Sequence, residues 1–264
     1  MYQADYHVHT NHSPDARDTM QDMTARAVAL GMDEITFTDH IEINEGGLGF
    51  HRAVLESIYE DIQACRQRFG EKITIRFGLE IGQGIYSPEE YGKVIKAFPY
   101  DFILCSIHRA RGKEDYCERS YSQKTADEAL FEYVREIEAY IDGLDFDVFG
   151  HMDYPTRYLQ RYGVEYDMEK YEPYFISAFR KLAESGRGIE LNISGLRQGQ
   201  LTMPSFRLLQ LYRQCGGEVL TIGSDSHRAD QLGVCYREGI RLIREAGFPY
   251  LTTFENRRKR FVKI

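Results

Sequence analysis

Short apolar, β-rich runs alternate with helix-patterned segments along the whole chain, and this alternation limits its architecture more than any other feature. Candidate strands cover Ala4–Val8, Glu34–Thr38, Ile73–Leu79, Asp101–Ser106, Phe146–Gly150, Gly188–Asn192 and Glu218–Gly223. Several are almost continuously apolar, as strands covered on both faces must be. Between them, Val54, Leu55, Ile58, Ile62, Cys65 and Phe69 recur at the period of a helix, and Gly70 marks its stop. Ser87-Pro88 reads as an N-cap with proline at the first helical position. Thr125 and Glu128 match a capping box ahead of Leu130, Val134, Ile137 and Ile141. Leu232, Tyr236, Ile240 and Ile243 mark a last amphipathic helix, and Tyr250–Phe254 reads as a short extra strand. Such alternation builds a parallel sheet, and seven units predict an α/β barrel, closed or nearly so. An open doubly wound sheet is the alternative, because no clear eighth unit is present. With 264 residues, 42% of them hydrophobic, the chain can bury the core of one barrel domain spanning 1–264.

Composition narrows the partners. No window is apolar enough to span a bilayer, and Met1-Tyr2-Gln3 lacks the basic-then-apolar start of a signal peptide, so no membrane association and a cytoplasmic location are expected. Five widely spaced cysteines without a CxxC pair suit a reducing compartment. A net charge of −8 argues against nucleic acid as the main partner. The basic run Arg257-Arg258-Lys259-Arg260 reads as a solvated tail.

The histidines carry the functional signal. Six of the eight fall at or just beyond a predicted strand end: His7 and His9, His40 in "TDH", His108 in "SIH", His151 in "GH" and His227 in "DSH". Glu80 closes the third strand in "RFGLE", whereas His12 and His51 lie outside the pattern. In a parallel barrel all strand C-termini meet at one mouth, so these residues converge although they are far apart in sequence. His7 and His9, two apart on a strand, point the same way, as do Asp225 and His227 if the chain stays extended. A lone His-x-His or Asp-His is more often ordinary surface or capping structure. Their joint placement at one end of one fold favours several divalent ions of the zinc, manganese or iron type, held by nitrogen and carboxylate ligands.

"HVH", "TDH", "SIH" and "DSH", in that order, resemble the motifs of the polymerase-and-histidinol-phosphatase (PHP) superfamily. "GLEIG", "FGHMDY" and "ELNISGLR" look like its branch of monofunctional histidinol-phosphate phosphatases. The resemblance implies a distorted (β/α)7 barrel with three divalent metal ions. Carried over by position, one ion takes His7, His9, Glu80 and Asp225. A second shares Glu80 and adds His108 and His151. A third takes Asp15, His40 and His227, with His12 as the competitor for the place of Asp15.

The implied reaction is hydrolysis of a small phosphate monoester, L-histidinol phosphate, by a metal-bridging hydroxide. Two nearby ions lower the pKa of a shared water. Three ions against three carboxylates and a hydroxide leave roughly +2, enough to attract a phosphate dianion to an acidic protein. Arg197 is the expected phosphate clamp, since a guanidinium matches phosphate oxygens in bidentate fashion, with Arg157 and Arg161 as further candidates. Glu42 is a candidate for the substrate ammonium. Asp225 or a metal-bound water is expected to protonate the leaving alkoxide, with His227 beside it. Other small sugar or nucleotide phosphates, or amide hydrolysis at a similar barrel mouth, are the competing readings. The oligomeric state is not legible.

Overall fold

The apolar runs do become parallel strands. The computed structural model describes residues 2–43 and 52–264, so His51 and Met1 lie outside the described residues. The strands are β1 (Ala4–Val8), β2 (Glu34–Phe37), β3 (His40–Glu42), β4 (Thr74–Gly82), β5 (Phe102–Ser106), β6 (Val148–Phe149), β7 (Gly188–Asn192), β8 (Leu220–Gly223), β9 (Tyr250–Glu255) and β10 (Arg258–Lys263). The helices are α1 (Met20–Leu30), α2 (Arg52–Phe69), α3 (Pro88–Val94), α4 (Gln123–Gly143), α5 (Pro155–Arg161), α6 (Glu172–Glu184), α7 (Phe206–Gln214) and α8 (Tyr236–Glu245). The main sheet runs β1-β2-β4-β5-β6-β7-β8, every pair parallel. Its two ends meet where Val8 bridges Ser226 and the His9 amide donates to the Ser226 carbonyl at 2.9 Å. The result is a distorted (β/α)7 barrel, as expected, and not an open sheet.

Two irregularities aim side chains at the barrel mouth. β1 holds one residue more than β2 between Asp5 and Val8, a bulge that interrupts strict alternation. Ala4 and Tyr6 therefore pack with Phe102, Leu104, Val148 and Phe254 in the small inner cluster, while His7 and His9 join the mouth above it. The second predicted strand, Glu34–Thr38, ends at Phe37, and after a break at Thr38-Asp39 an unpredicted strand, β3, continues the line. β2 pairs Phe37 with Phe77 and β3 pairs His40 with Glu80, so β4 is followed in one register on both sides of the break. Asp39 forces that break: its carboxylate accepts from the Thr10 amide at 2.6 Å and the Ser13 hydroxyl at 2.7 Å.

Helix signals were right in kind and off in detail. Leu55, Ile58, Ile62 and Cys65 are the buried face of α2, whereas Val54 is exposed. The capping box of α4 is Ser122 with Thr125, so the helix starts ahead of the expected Thr125 and Glu128. Leu232 is buried but precedes α8.

The basic run at 257–260 is not a solvated tail. Asn256 and Arg257, both at positive φ (49° and 61°), form the turn of an antiparallel hairpin between β9 and β10. Arg257 donates to both carboxylate oxygens of Asp145 at 3.0 and 2.9 Å and to Asp147 at 3.1 Å, locking the hairpin across the end of the barrel remote from the histidines. Among the described residues, no helix is long and apolar enough to cross a membrane.

Candidate metal centre

Glu80 stands at the middle of the barrel mouth, fully buried on β4. Around its Oε1 lie His151 Nε2 at 2.8 Å, His108 Nε2 at 3.1 Å and the Ser106 hydroxyl at 2.7 Å. Around its Oε2 lie His40 Nδ1 at 2.7 Å, His7 Nε2 at 3.3 Å and His9 Nε2 at 3.6 Å. Asp225 follows β8 and places Oδ1 3.4 Å from His9 Nε2 and 3.5 Å from His227 Nδ1. His227 Nε2 reaches Asp15 Oδ2 at 3.0 Å, and His40 Nε2 is 3.8 Å from Asp15 Oδ1. All nine side chains named from the sequence thus form one connected set. His12 does not join it: its Nε2 is 2.8 Å from Asp61 on α2.

The donor set fits bound cations. Four overlapping groups, His9-His40-His227, His7-Glu80-His151, His7-His9-Asp225 and His40-Glu80-His108, each bring candidate ligand atoms within 4.8 Å of one another. His7 Nε2 and His9 Nε2 are buried without a hydrogen-bond partner among the described residues. Burying such atoms unpaired is costly, and a cation is the partner their convergence suits. His151 and Asp225 sit at positive φ, 24° and 52°, a conformation that non-glycine residues adopt only when the surroundings impose it.

Charge is strongly redistributed here. Burial opposes ionisation of Glu80, yet His7, His40 and His108 hold its pKa well below the usual carboxylate range. Asp225 is likewise lowered, against burial, by His7, His9, His227 and Arg157. Asp15 falls to about 2 because His227, His40 and His9 outweigh its burial. The carboxylates in turn raise His7 and His108 well above the ordinary imidazole value in spite of burial. His9 moves the other way, because burial and the neighbouring His40 and His227 all disfavour its charge.

Supporting residues hold this geometry, and the sequence reading missed most of them. Asp39 was visible only as the middle of "TDH". Its carboxylate fixes Thr10 and Ser13, and the Ser13 hydroxyl is 3.2 Å from His9 Nδ1 and accepts from the His40 amide at 3.1 Å. Glu190 on β7 is buried 2.6 Å from His7 Nδ1 and accepts from the His151 amide at 2.9 Å. The available signal was an acid inside the otherwise apolar "GIELN", which a core tolerates only with partners.

The arginines bound the other side of the mouth. Arg157, Arg161 and Arg197 line a cavity of about 290 Å³ together with His108, His151 and Asp225. Arg157 Nη1 is 3.3 Å from Asp225 Oδ2. Arg197, in the turn after β7, donates from Nη1 to the Ser224 carbonyl and from Nη2 to the Asp225 carbonyl at 3.1 Å. Arg161 is exposed, lies over the Tyr158 ring and reaches Gln198 at 3.3 Å. Glu42 stands behind His108, with Oε1 2.7 Å from Nδ1, and does not line this cavity.

The chain is 28% identical to a histidinol-phosphatase of Lactococcus lactis, over 96% of this chain and 95% of that one. It is 24% identical to the histidinol-phosphatase of Bacillus subtilis, over 89% and 97% respectively. Its structure superposes with a TM-score of 0.79, at 26% identity and 98% coverage of both chains, on a histidinol phosphate phosphatase from Lactococcus lactis crystallised with zinc, L-histidinol and phosphate. The PHP domain model matches residues 5–194, most of the barrel with seven of the nine clustered side chains, and the chain belongs to the PHP domain family.

Proposed function

We propose that this chain is a metal-dependent phosphomonoesterase that hydrolyses L-histidinol phosphate to L-histidinol and phosphate, a step of histidine biosynthesis. The observation that carries this reading is one cavity lined by seven of the nine clustered side chains, Asp15, His40, Glu80, His108, His151, Asp225 and His227, together with Arg157, Arg161 and Arg197. The reading treats all 264 residues as one barrel domain and assigns three divalent ions of the zinc, manganese or iron type to it. His7, His9, Glu80 and Asp225 would hold one, Glu80, His108 and His151 the second, and Asp15, His40 and His227 the third. When bound, these ions would supply Lewis acidity and an activated water.

The chain's own groups do the rest. Arg197 and Arg157 face the phosphate, and Arg161 extends that wall towards solvent. Asp225 is the candidate for handing a proton to the leaving alkoxide, with His227 Nδ1 3.5 Å from its Oδ1 and Arg157 Nη1 3.3 Å from its Oδ2. A neighbouring pocket that shares Asp15, His40 and His108 with this cavity carries Glu42, Glu90, Glu114, Asp115 and Glu118 against Arg109 and Lys113, an acidic excess. An amine-bearing phosphate suits that acidic excess, whereas a nucleotide, whose base and ribose are uncharged, offers it no cation. The five cysteines are unpaired, which suits a reducing cytoplasm.

The test is phosphate release from a panel of phosphomonoesters, with metals measured on the same preparation. Histidinol phosphate should exceed simple aryl phosphates in kcat/KM by at least about tenfold, since the distant ammonium and imidazole contribute binding energy at the reacting centre. Better hydrolysis of sugar or nucleotide phosphates would leave a phosphoesterase of different substrate.

A further inference from the structure

Glu190 touches none of the space a substrate would occupy, yet it joins two of the clustered histidines from behind. It is fully buried in the middle of β7. Its Oε1 is 2.6 Å from His7 Nδ1. Its Oε2 accepts from the main-chain N–H of His151 at 2.9 Å and from Asn192 Nδ2 at 3.3 Å. His7 comes from the first strand and His151 from the loop after the sixth, so one carboxylate spans the barrel interior between them.

The fold makes room for this contact at a specific point. Gly223, the last residue of β8, lies against the pair, and a Cβ there would collide with Glu190 Oε1 and His7 Cβ. Asn192 is held in turn, its Oδ1 accepting from the amide and hydroxyl of Ser194 at 3.0 and 2.6 Å. The carboxylate is therefore fixed before any ligand arrives.

We propose that Glu190 is a positioning residue for the metal centre, setting the His7 tautomer and the His151 backbone at once. With its proton on Nδ1 and given to Glu190, His7 must present the lone pair of Nε2, the atom left unpaired 3.3 Å from Glu80 Oε2. A buried negative charge behind the ring also makes that lone pair a better donor. Holding the His151 amide keeps that residue at φ 24°, the conformation from which its Nε2 reaches Glu80 Oε1 at 2.8 Å. This inference rests on the reading of the mouth as a metal site.

The experiment compares wild type with Glu190→Gln by zinc competition against a chromogenic chelator, alongside metal-free thermal melts and the absorption spectrum of the cobalt-substituted protein. Glutamine has the size of glutamate but one acceptor oxygen in place of two, so it cannot accept from both partners. The expected result is a folded variant whose zinc affinity falls ten- to a hundredfold, with an altered cobalt spectrum and a kcat partly restored by excess zinc. Wild-type zinc affinity and an unchanged cobalt spectrum in a folded variant would overturn the proposal. A wild type that binds no zinc would instead overturn the metal reading on which it rests. A measurement on wild type stands apart from how the variant folds. The His7 Nδ1 proton, shared with a buried carboxylate, should give an exchange-protected downfield proton resonance coupled to imidazole nitrogen in the zinc-loaded protein. Its absence from the spectrum would also overturn the proposal.

Discussion

Arg197 donates from Nη2 to the main-chain carbonyl of Asp225 at 3.1 Å, so an arginine lining the cavity also braces an acid of the candidate ligand cluster. The turn has other supports: the Asp225 amide donates to the His7 carbonyl at 2.8 Å and the Ser224 amide to Asp5 at 2.9 Å. Arg197→Ala should therefore keep its metal. It should lose about a hundredfold in kcat/KM, as when one charge-assisted donor leaves a largely desolvated site. Arg197→Lys should recover only part, because a point charge does not reproduce the planar fork. Kinetics and elemental analysis on the same samples check this, and near-normal kcat/KM in the alanine variant would pass the role to Arg157.

Glu80 contacts five histidines through two oxygens, which makes it the most consequential candidate ligand. Wild type purified without chelator should approach three divalent ions per chain, and Glu80→Gln should lose two together. Retention of both by the variant would show that the carboxylate does not bridge.

Proton release should accompany metal binding. His7, His40, His108 and His227 are all raised above the usual imidazole value, each by carboxylates that overcome burial, so without metal they hold their protons to higher pH than free imidazoles do. Zinc needs the neutral rings, and affinity should rise with pH above about 6.5. The same shifts give the metal-free protein a stability that is complete below the unfolded imidazole pKa and is lost as pH rises through the folded values. Chelated protein should thus melt at a higher temperature at pH 6 than at pH 9. Calorimetry of zinc binding in buffers of different ionisation enthalpy should find more than one proton released per chain; zero release would contradict the charge assignment.

Arg257→Ala separates stability from activity. It would leave Asp147, 9% exposed at the side chain, without its guanidinium partner. A cost of about 2 kcal/mol is expected from the lost charged hydrogen bonds. Denaturant unfolding reads that loss, and kcat/KM should not change because the hairpin closes the opposite end of the barrel. A drop in kcat/KM at unchanged stability would show that the two ends are coupled.

The sequence by itself determined the repeating strand–helix unit and the end of each strand where chemistry would gather, because apolar periodicity and local ligand spacing are written within a few residues. Gly188–Asn192 was legible to the residue, and "HVH", "TDH", "SIH" and "DSH" each supplied their share of the site. Tertiary structure decided what those local patterns cannot encode. Asp15 stands beside His227 while His12, only three residues earlier, turns to Asp61, because Asp39 shapes the intervening loop from the break between β2 and β3. Glu190 gains His7 as a partner only when barrel closure brings β1 to β8, next to β7, and Arg257 becomes an anchor only when two acids from the α4–β6 connection reach it. In each case the deciding hydrogen bond joins residues tens to hundreds of positions apart, and no local period of the chain carries that information.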